Sequence, residues 1–262
     1  MDNIRPTPTT RNWLEVSVDT PAGLLTAVQN GADRIVLCTA VSEGGLTPSM
    51  GLMRLAASLP NRGFDVPVRA MIRPPAGNFT YAFEDLEVMR HDIDAVAACG
   101  LEGVVLGSNL VSGVLDEAAI GGLARHAQAL GLCVALHRGF DLTPDTLTAL
   151  DYAIDQGIDT ILTSGGHRSA VNGIAGLRVI VERAIGRIEI LAGSGVTAQN
   201  ASAILASRVT ALHASYRSAL PDRHDQIAEL GYVTCGHRDT DGASVAHPSK
   251  HLRLLEPSHV VR

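Results

Sequence analysis

Leu132-Cys133-Val134-Ala135-Leu136-His137-Arg138-Gly139-Phe140-Asp141 joins an apolar run directly to three ionisable side chains. The apolar half reads as a buried β-strand, and Gly139 frees the backbone to turn just beyond it. His137 and Asp141 stand four apart across that turn, where either can orient the other or both can share a ligand. A strand that ends in ionisable groups marks the edge of a sheet where chemistry is done, and the same pattern recurs along the chain.

Strand-like runs fall at Leu14–Asp19, Arg34–Cys38, Val68–Arg73, Gly103–Gly107, Cys133–His137, Thr160–Thr163, Ile188–Ala192 and Ala211–Ser215. Between them lie stretches with apolar residues three or four apart, such as Leu86, Met89, Ile93 and Ala97, or Ile120, Leu123, Ala127 and Leu130, the spacing of helices with one buried stripe. Gly31, Gly100, Gly131 and Gly157 each precede a strand, as glycines closing helices do. Eight β/α units in about 200 residues predict a single closed (β/α)₈ TIM-type barrel. Residues 1–12 read as an N-terminal tail, 13–235 as the barrel and 236–262 as a C-terminal extension.

In a closed barrel, alternate side chains of each strand fill the interior. The inner phase then holds Glu15, Ser17 and Asp19; Arg34, Val36 and Cys38; Arg69, Met71 and Arg73; and Cys133, Ala135 and His137. Buried charge is costly unless paired, so Glu15, Asp19, Arg34, Arg69 and Arg73 are expected in one salt-bridged network. Glu15 and Arg34, early in their strands, either stitch the barrel floor or serve a site; Arg73 and His137 stand at strand ends, where barrel active sites lie.

Leu162-Thr163-Ser164-Gly165-Gly166 and Leu191-Ala192-Gly193-Ser194-Gly195-Val196-Thr197 end the sixth and seventh strands. Such loops make tight turns or, through exposed N–H groups, hold a phosphate or carboxylate. Ser42-Glu43-Gly44-Gly45-Leu46-Thr47-Pro48-Ser49 folds over the mouth, with Glu43 as a functional or a solvated carboxylate. Closure brings strands eight and one together, so His213 is placed to meet Glu15.

The chain carries a net charge of −6, has no Lys/Arg run and contains one lysine, Lys250; no nucleic-acid partner is expected. A lone lysine near the C-terminus argues against Schiff-base aldolase chemistry. Gly-x-Gly-x-x-Gly and Walker motifs are missing. Cys38, Cys99, Cys133 and Cys235 are widely spaced, predicting reduced thiols in a cytosol rather than a disulfide framework or zinc knuckle. No apolar secretion signal or membrane-length segment is visible, so a soluble cytoplasmic protein is expected.

Read together, Leu14-Glu15-Val16-Ser17-Val18-Asp19, Gly31-Ala32-Asp33-Arg34-Ile35, the 42–49 loop, Met71-Ile72-Arg73-Pro74, His137-Arg138-Gly139-Phe140-Asp141 and Leu162-Thr163-Ser164-Gly165-Gly166 resemble the CutC family over roughly residues 13–217. The resemblance implies a TIM-type barrel, a cytoplasmic location, a homodimer or higher homo-oligomer, and copper homeostasis with Cu(I) binding. It also exposes departures. Family members carry a cysteine where Ser17 stands, and that cysteine with the one matching Cys38 is the implied copper pair. Val36 replaces a family carboxylate, Arg69 replaces an apolar residue, and Pro74-Pro75-Ala76-Gly77-Asn78-Phe79 lacks the Arg and acid of the family's Pro-Arg-Gly-Gly-Asp-Phe. The interior is thereby less acidic, which suits an anionic ligand better than a metal.

Two readings follow. In one, Cys38 holds copper(I). In the other, a metal-independent isomerase or lyase uses His137 as general acid/base, partnered by Asp141 or Glu15. Its small anionic or sugar-like substrate is held by Arg34, Arg73, His213, Ser164, Gly165, Gly166, Gly193, Ser194 and Gly195.

Overall fold

β1 (Trp13–Val18), β2 (Arg34–Leu37), β3 (Val68–Met71), β4 (Gly103–Leu106), β5 (Cys133–Leu136), β6 (Thr160–Thr163), β7 (Glu189–Gly193) and β8 (Ala211–Ala214) form a closed barrel, each strand parallel to its neighbours and β8 returning to β1. This computed structural model describes residues 12–219, 230 and 238–246. Several strands stop a residue or two short of the apolar run that marks them, because Cys38, Arg73, Gly107 and His137 already belong to the turns that build the mouth. The connecting helices are α1 (Pro21–Gln29), α2 (Met50–Ala57), α3 (Phe83–Cys99), α4 (Glu117–Ala129), α5 (Thr146–Asp155), α6 (Ile174–Ala184) and α7 (Ala201–Leu205).

Local chemistry starts and stops these helices. Thr20 accepts from Gly23 N ahead of Pro21, Asp116 from Ala119 N, and Asp145 from Leu147 N and Thr148 N, each satisfying donors that a helix start leaves unpaired. Gly31, Gly100, Gly131 and Gly157 adopt φ between +67° and +91° just after α1, α3, α4 and α5, a conformation that costs side-chain-bearing residues about 1–2 kcal/mol. Leu14, Val16, Val18, Ile35 and Leu37 point outward into the main apolar core beneath the helices. Val36, Cys38, Met71, Val105 and Ala135 form a separate small cluster inside the barrel.

The interior charges divide in two instead of forming one network. Low in the barrel, Arg34 Nε donates to Glu15 Oε2 at 2.5 Å and Arg34 Nη2 to Glu189 at 2.8 Å; Thr160 links Glu189 to Arg69, and Arg69 reaches Glu102. Arg73 and Asp19 lie outside this group. They sit about two inward positions further along their strands, beyond the span of a guanidinium: Arg73 turns to backbone carbonyls and Asp19 pairs with Arg217 at 3.1 Å.

Past the barrel, β9 (Arg217–Ala219) pairs antiparallel with β10 (Arg238–Thr240). Asp239 accepts from Thr20 Oγ1 at 3.0 Å, and Val245 is fully buried in the main core, so this part of the expected C-terminal extension packs on the barrel. Cys38, Cys99 and Cys133 are free thiols. The N-terminal tail through residue 11, Cys235 and Lys250 lie outside the described residues. Among the described residues no helix is long and apolar enough to cross a membrane.

Candidate functional site

The C-terminal ends of the strands open into a cavity of about 850 Å³, the end at which barrel enzymes carry their chemistry. Its walls include Arg73, Arg138, Arg217, His137 and His213, and no carboxylate among the described residues. Two of the arginines are neutralised: Arg138 pairs with Asp141 at 2.9 Å and Arg217 with Asp19.

Arg73 is different. Its side chain is buried, Nη1 donates to Glu43 O at 2.7 Å and Gly45 O at 3.3 Å, and Nη2 donates to Gly77 O at 3.1 Å. The 42–49 and 74–79 loops therefore wrap it with carbonyl dipoles but supply no counter-ion. Nε has no partner among the described residues. Phe79 covers it, its ring centroid 4.7 Å from the guanidinium carbon and 4.5 Å from the His137 ring. Phe79 holds this position with φ +63°, strained for a side-chain-bearing residue.

His137 ends β5. Its Nδ1 accepts from Gly139 N at 3.0 Å, so the neutral ring carries its proton on Nε2, and Nε2 is buried without a partner. Burial first, and the nearby Arg73 charge second, push its pKa down to about 4. At neutral pH His137 is an uncharged hydrogen-bond donor. The ring packs tightly against Gly107, where a Cβ would stand 2.6 Å from its Cε1.

The structure does not bring Asp141 to His137. Both Asp141 oxygens are taken by five donors: Thr163 Oγ1 at 2.5 Å, Ser164 N at 3.0 Å, Ser164 Oγ at 2.9 Å, Gly166 N at 3.1 Å and Arg138 Nε at 2.9 Å. The glycine-rich turn is thus an anion cradle whose anion is the chain's own carboxylate. Ser164 is fully buried, and Gly165 packs so closely on α6 that a Cβ would lie 2.3 Å from Gly173 O. Ser164, Gly165 and Gly166 consequently position the mouth without lining it. Glu15 likewise lies below the cavity, with Arg34, and does not reach His137; it meets His213 Nδ1 at 2.7 Å. Gly193 is covered by Leu162 and His213.

Ser194 and Gly195 do line the cavity, with φ +80° and +66°. Ser194 Oγ donates to Arg168 O at 2.8 Å, while Gly195 N and Val196 N donate to no described residue. Arg217, Phe79 and Gly107 escaped the sequence reading. Arg217 had a signal, a cation two residues beyond Ser215; Phe79 and Gly107 had none, because their roles depend on His137.

The CutC family profile matches residues 12–218. The chain belongs to the CutC family. It is 48% identical to a CutC family protein of Rhizobium meliloti (strain 1021) over 233 residues, 88% of this chain and 92% of the relative. It is 47% identical to the CutC family protein of Agrobacterium fabrum over 249 residues, 94% of each. The crystal structure of CutC from Streptococcus agalactiae, provisionally described as a copper homeostasis protein, superposes with a TM-score of 0.73 at 30% identity, covering 78% of this chain and 98% of that one.

The donor set for copper in this CutC chain is thin. Cys38 is buried, its thiol donates to Val18 O at 3.4 Å, and burial, aided by Asp19, pushes its pKa up to about 12. Ser17 presents a hydroxyl where a second thiolate would be needed, and Met71 offers a thioether in the same small cluster. Soft Cu(I) favours thiolate and thioether sulfur, and the metal ligand is the thiolate. One buried thiol and one thioether do not make a two-thiolate site.

Proposed function

We propose that this chain binds a small anionic metabolite, bearing a phosphate or carboxylate, at the barrel mouth and acts on it by metal-independent proton transfer of the isomerase or lyase type. The observation that carries the reading is Arg73. A buried guanidinium without a carboxylate among the described residues is costly, and an anion entering the cavity would supply the missing counter-charge. Arg73 Nε and His137 Nε2, both without acceptors, belong to residues lining that cavity. Neutral His137 then serves as hydrogen-bond donor to a substrate oxygen, a role open to an imidazole held uncharged at neutral pH, in place of the general acid/base role expected of it. Gly195 N and Val196 N add donors on the opposite wall.

Copper(I) handling is the family's coarse association, and Cys38 beside Met71 is where it would fall. Calorimetric titration with inorganic phosphate separates the two. Saturable binding weakened at least tenfold by Arg73→Gln is expected; absence of binding, or binding indifferent to Arg73→Gln and His137→Asn, contradicts the proposal. In parallel, Cu(I) competition against a chelator is expected to give the same affinity for Cys38→Ala as for the unaltered chain.

A further inference from the structure

Glu15 and His213 are register partners on β1 and β8, both on the barrel's inner phase. His213 Nδ1 lies 2.7 Å from Glu15 Oε1, while Glu15 Oε2 takes Arg34 Nε at 2.5 Å. Burial alone would raise the Glu15 carboxyl, but Arg34, His213 and Arg69 together hold it well below the usual carboxylate range. An ionised carboxylate has only acceptors. The proton of the Glu15–His213 contact therefore sits on His213 Nδ1, and the neutral ring keeps its lone pair on Nε2.

His213 lines the cavity, and its Nε2 is bonded to no described residue. His137, across the barrel just after β5, has the opposite tautomer, with Nδ1 occupied by Gly139 N and the proton on Nε2. Two imidazoles on residues that line one cavity are thus held by hydrogen bonds at opposite ring nitrogens.

We infer that His213, oriented by Glu15, is the general base of this cavity, and that the substrate is a small anion with an acidic C–H next to a carbonyl. The inference rests on the anionic-metabolite reading and narrows it to one reaction class. In the step, the C–H bond breaks, its proton goes to His213 Nε2, and its electron pair forms a C=C bond. The carbonyl π pair moves to oxygen, where the Nε2–H of His137 meets the developing enolate. Where the deprotonated carbon carries a hydroxyl, that hydroxyl passes its proton to the enolate oxygen, its own oxygen becomes the new carbonyl, and His213 returns the proton to the former carbonyl carbon, which completes an isomerisation; elimination of a β-substituent as an anion completes a lyase step. The chemistry is redox-neutral and needs no co-reactant. Glu15 is a positioning residue, fixing the tautomer and favouring the imidazolium that forms.

The test uses the full chain and dihydroxyacetone phosphate, a small phosphorylated ketone, as probe in D₂O. Deuterium entry beside the carbonyl, followed by NMR, is expected with the unaltered chain. It should fall at least about 100-fold in His213→Asn, which keeps a donor for Glu15, while a native circular-dichroism spectrum and a cooperative thermal transition show that the barrel still folds. Exchange undiminished in His213→Asn overturns the base assignment. Phosphate binding without exchange in the unaltered chain overturns this inference and leaves the anion site standing; loss of both overturns the parent reading. Independently, ¹⁵N spectra should give His213 a protonated Nδ1 and His137 a protonated Nε2, and the reverse pattern refutes the roles. That readout does not depend on the probe.

Discussion

Replacing Asp141 distinguishes a carboxylate that builds the mouth from one that works in it. Its side chain is 7% exposed, and its acceptors satisfy the Thr163 hydroxyl, Ser164 N and Gly166 N together with Arg138. In Asp141→Ala, Ser164 N and Thr163 Oγ1, both on fully buried residues, lose their partner, at about 1–2 kcal/mol each. Gly166 N is exposed and water replaces its acceptor cheaply. The Arg138 pair, with the guanidinium side 36% exposed, adds at most about 1 kcal/mol after solvent screening. Together these come to about 2–5 kcal/mol. Asp141→Asn should cost about 2–3 kcal/mol, because either orientation of the amide sets its NH₂ against backbone or guanidinium donors. Urea unfolding at pH 7 measures both. A loss below about 1 kcal/mol in Asp141→Ala would refute the self-occupied cradle and return Asp141 to the candidates for partnering His137.

Three further outcomes are expected. The buried neutral His137 has its pKa lowered from 6.5 to about 4, so the unfolded chain binds the extra proton between those values. Its contribution is full above pH 6.5 and is lost as pH falls toward 4, by up to about 3 kcal/mol; urea midpoints across this window should slope less in His137→Gln, and an unchanged slope contradicts the assignment. Gly107→Ala puts a methyl 2.6 Å from His137 Cε1, which should cost about 1–3 kcal/mol in thermal unfolding and weaken phosphate binding; a neutral result in both assays shows that the ring is not seated there. Ile185, 77% exposed at φ +50° after α6, should gain about 0.5–1 kcal/mol as Ile185→Gly, and destabilisation in urea would count against the strain.

The fold was legible because periodicity and punctuation agree: eight short strand-like runs, such as Val68–Met71 and Thr160–Thr163, alternate with amphipathic helices, and Gly31, Gly100, Gly131 and Gly157 close four of those helices ahead of a strand. The inward phase of Glu15, Arg34, Arg69 and His137 was legible too, since strand alternation is local. What separates residues across the barrel was not. Arg73 and Glu15 share the inner phase yet differ in height, so the single network expected of them divides. The 164–166 turn advertised an anion site, but only the three-dimensional path of Arg138–Leu142 shows that Asp141 fills it. The opposite tautomers of His137 and His213 follow from Gly139 N and Glu15, neighbours whose contacts no spacing rule encodes.

The central claim is that the mouth holds an anion between Arg73 and His137 and that Cys38 is not a copper centre. A crystal equilibrated with both inorganic phosphate and Cu(I), with anomalous data collected at the copper edge, tests it most directly. The account predicts tetrahedral density within hydrogen-bond distance of His137 Nε2, facing Arg73, and no anomalous peak at Cys38. An anomalous peak bridging the sulfur atoms of Cys38 and Met71, with no anion beside His137, would contradict it.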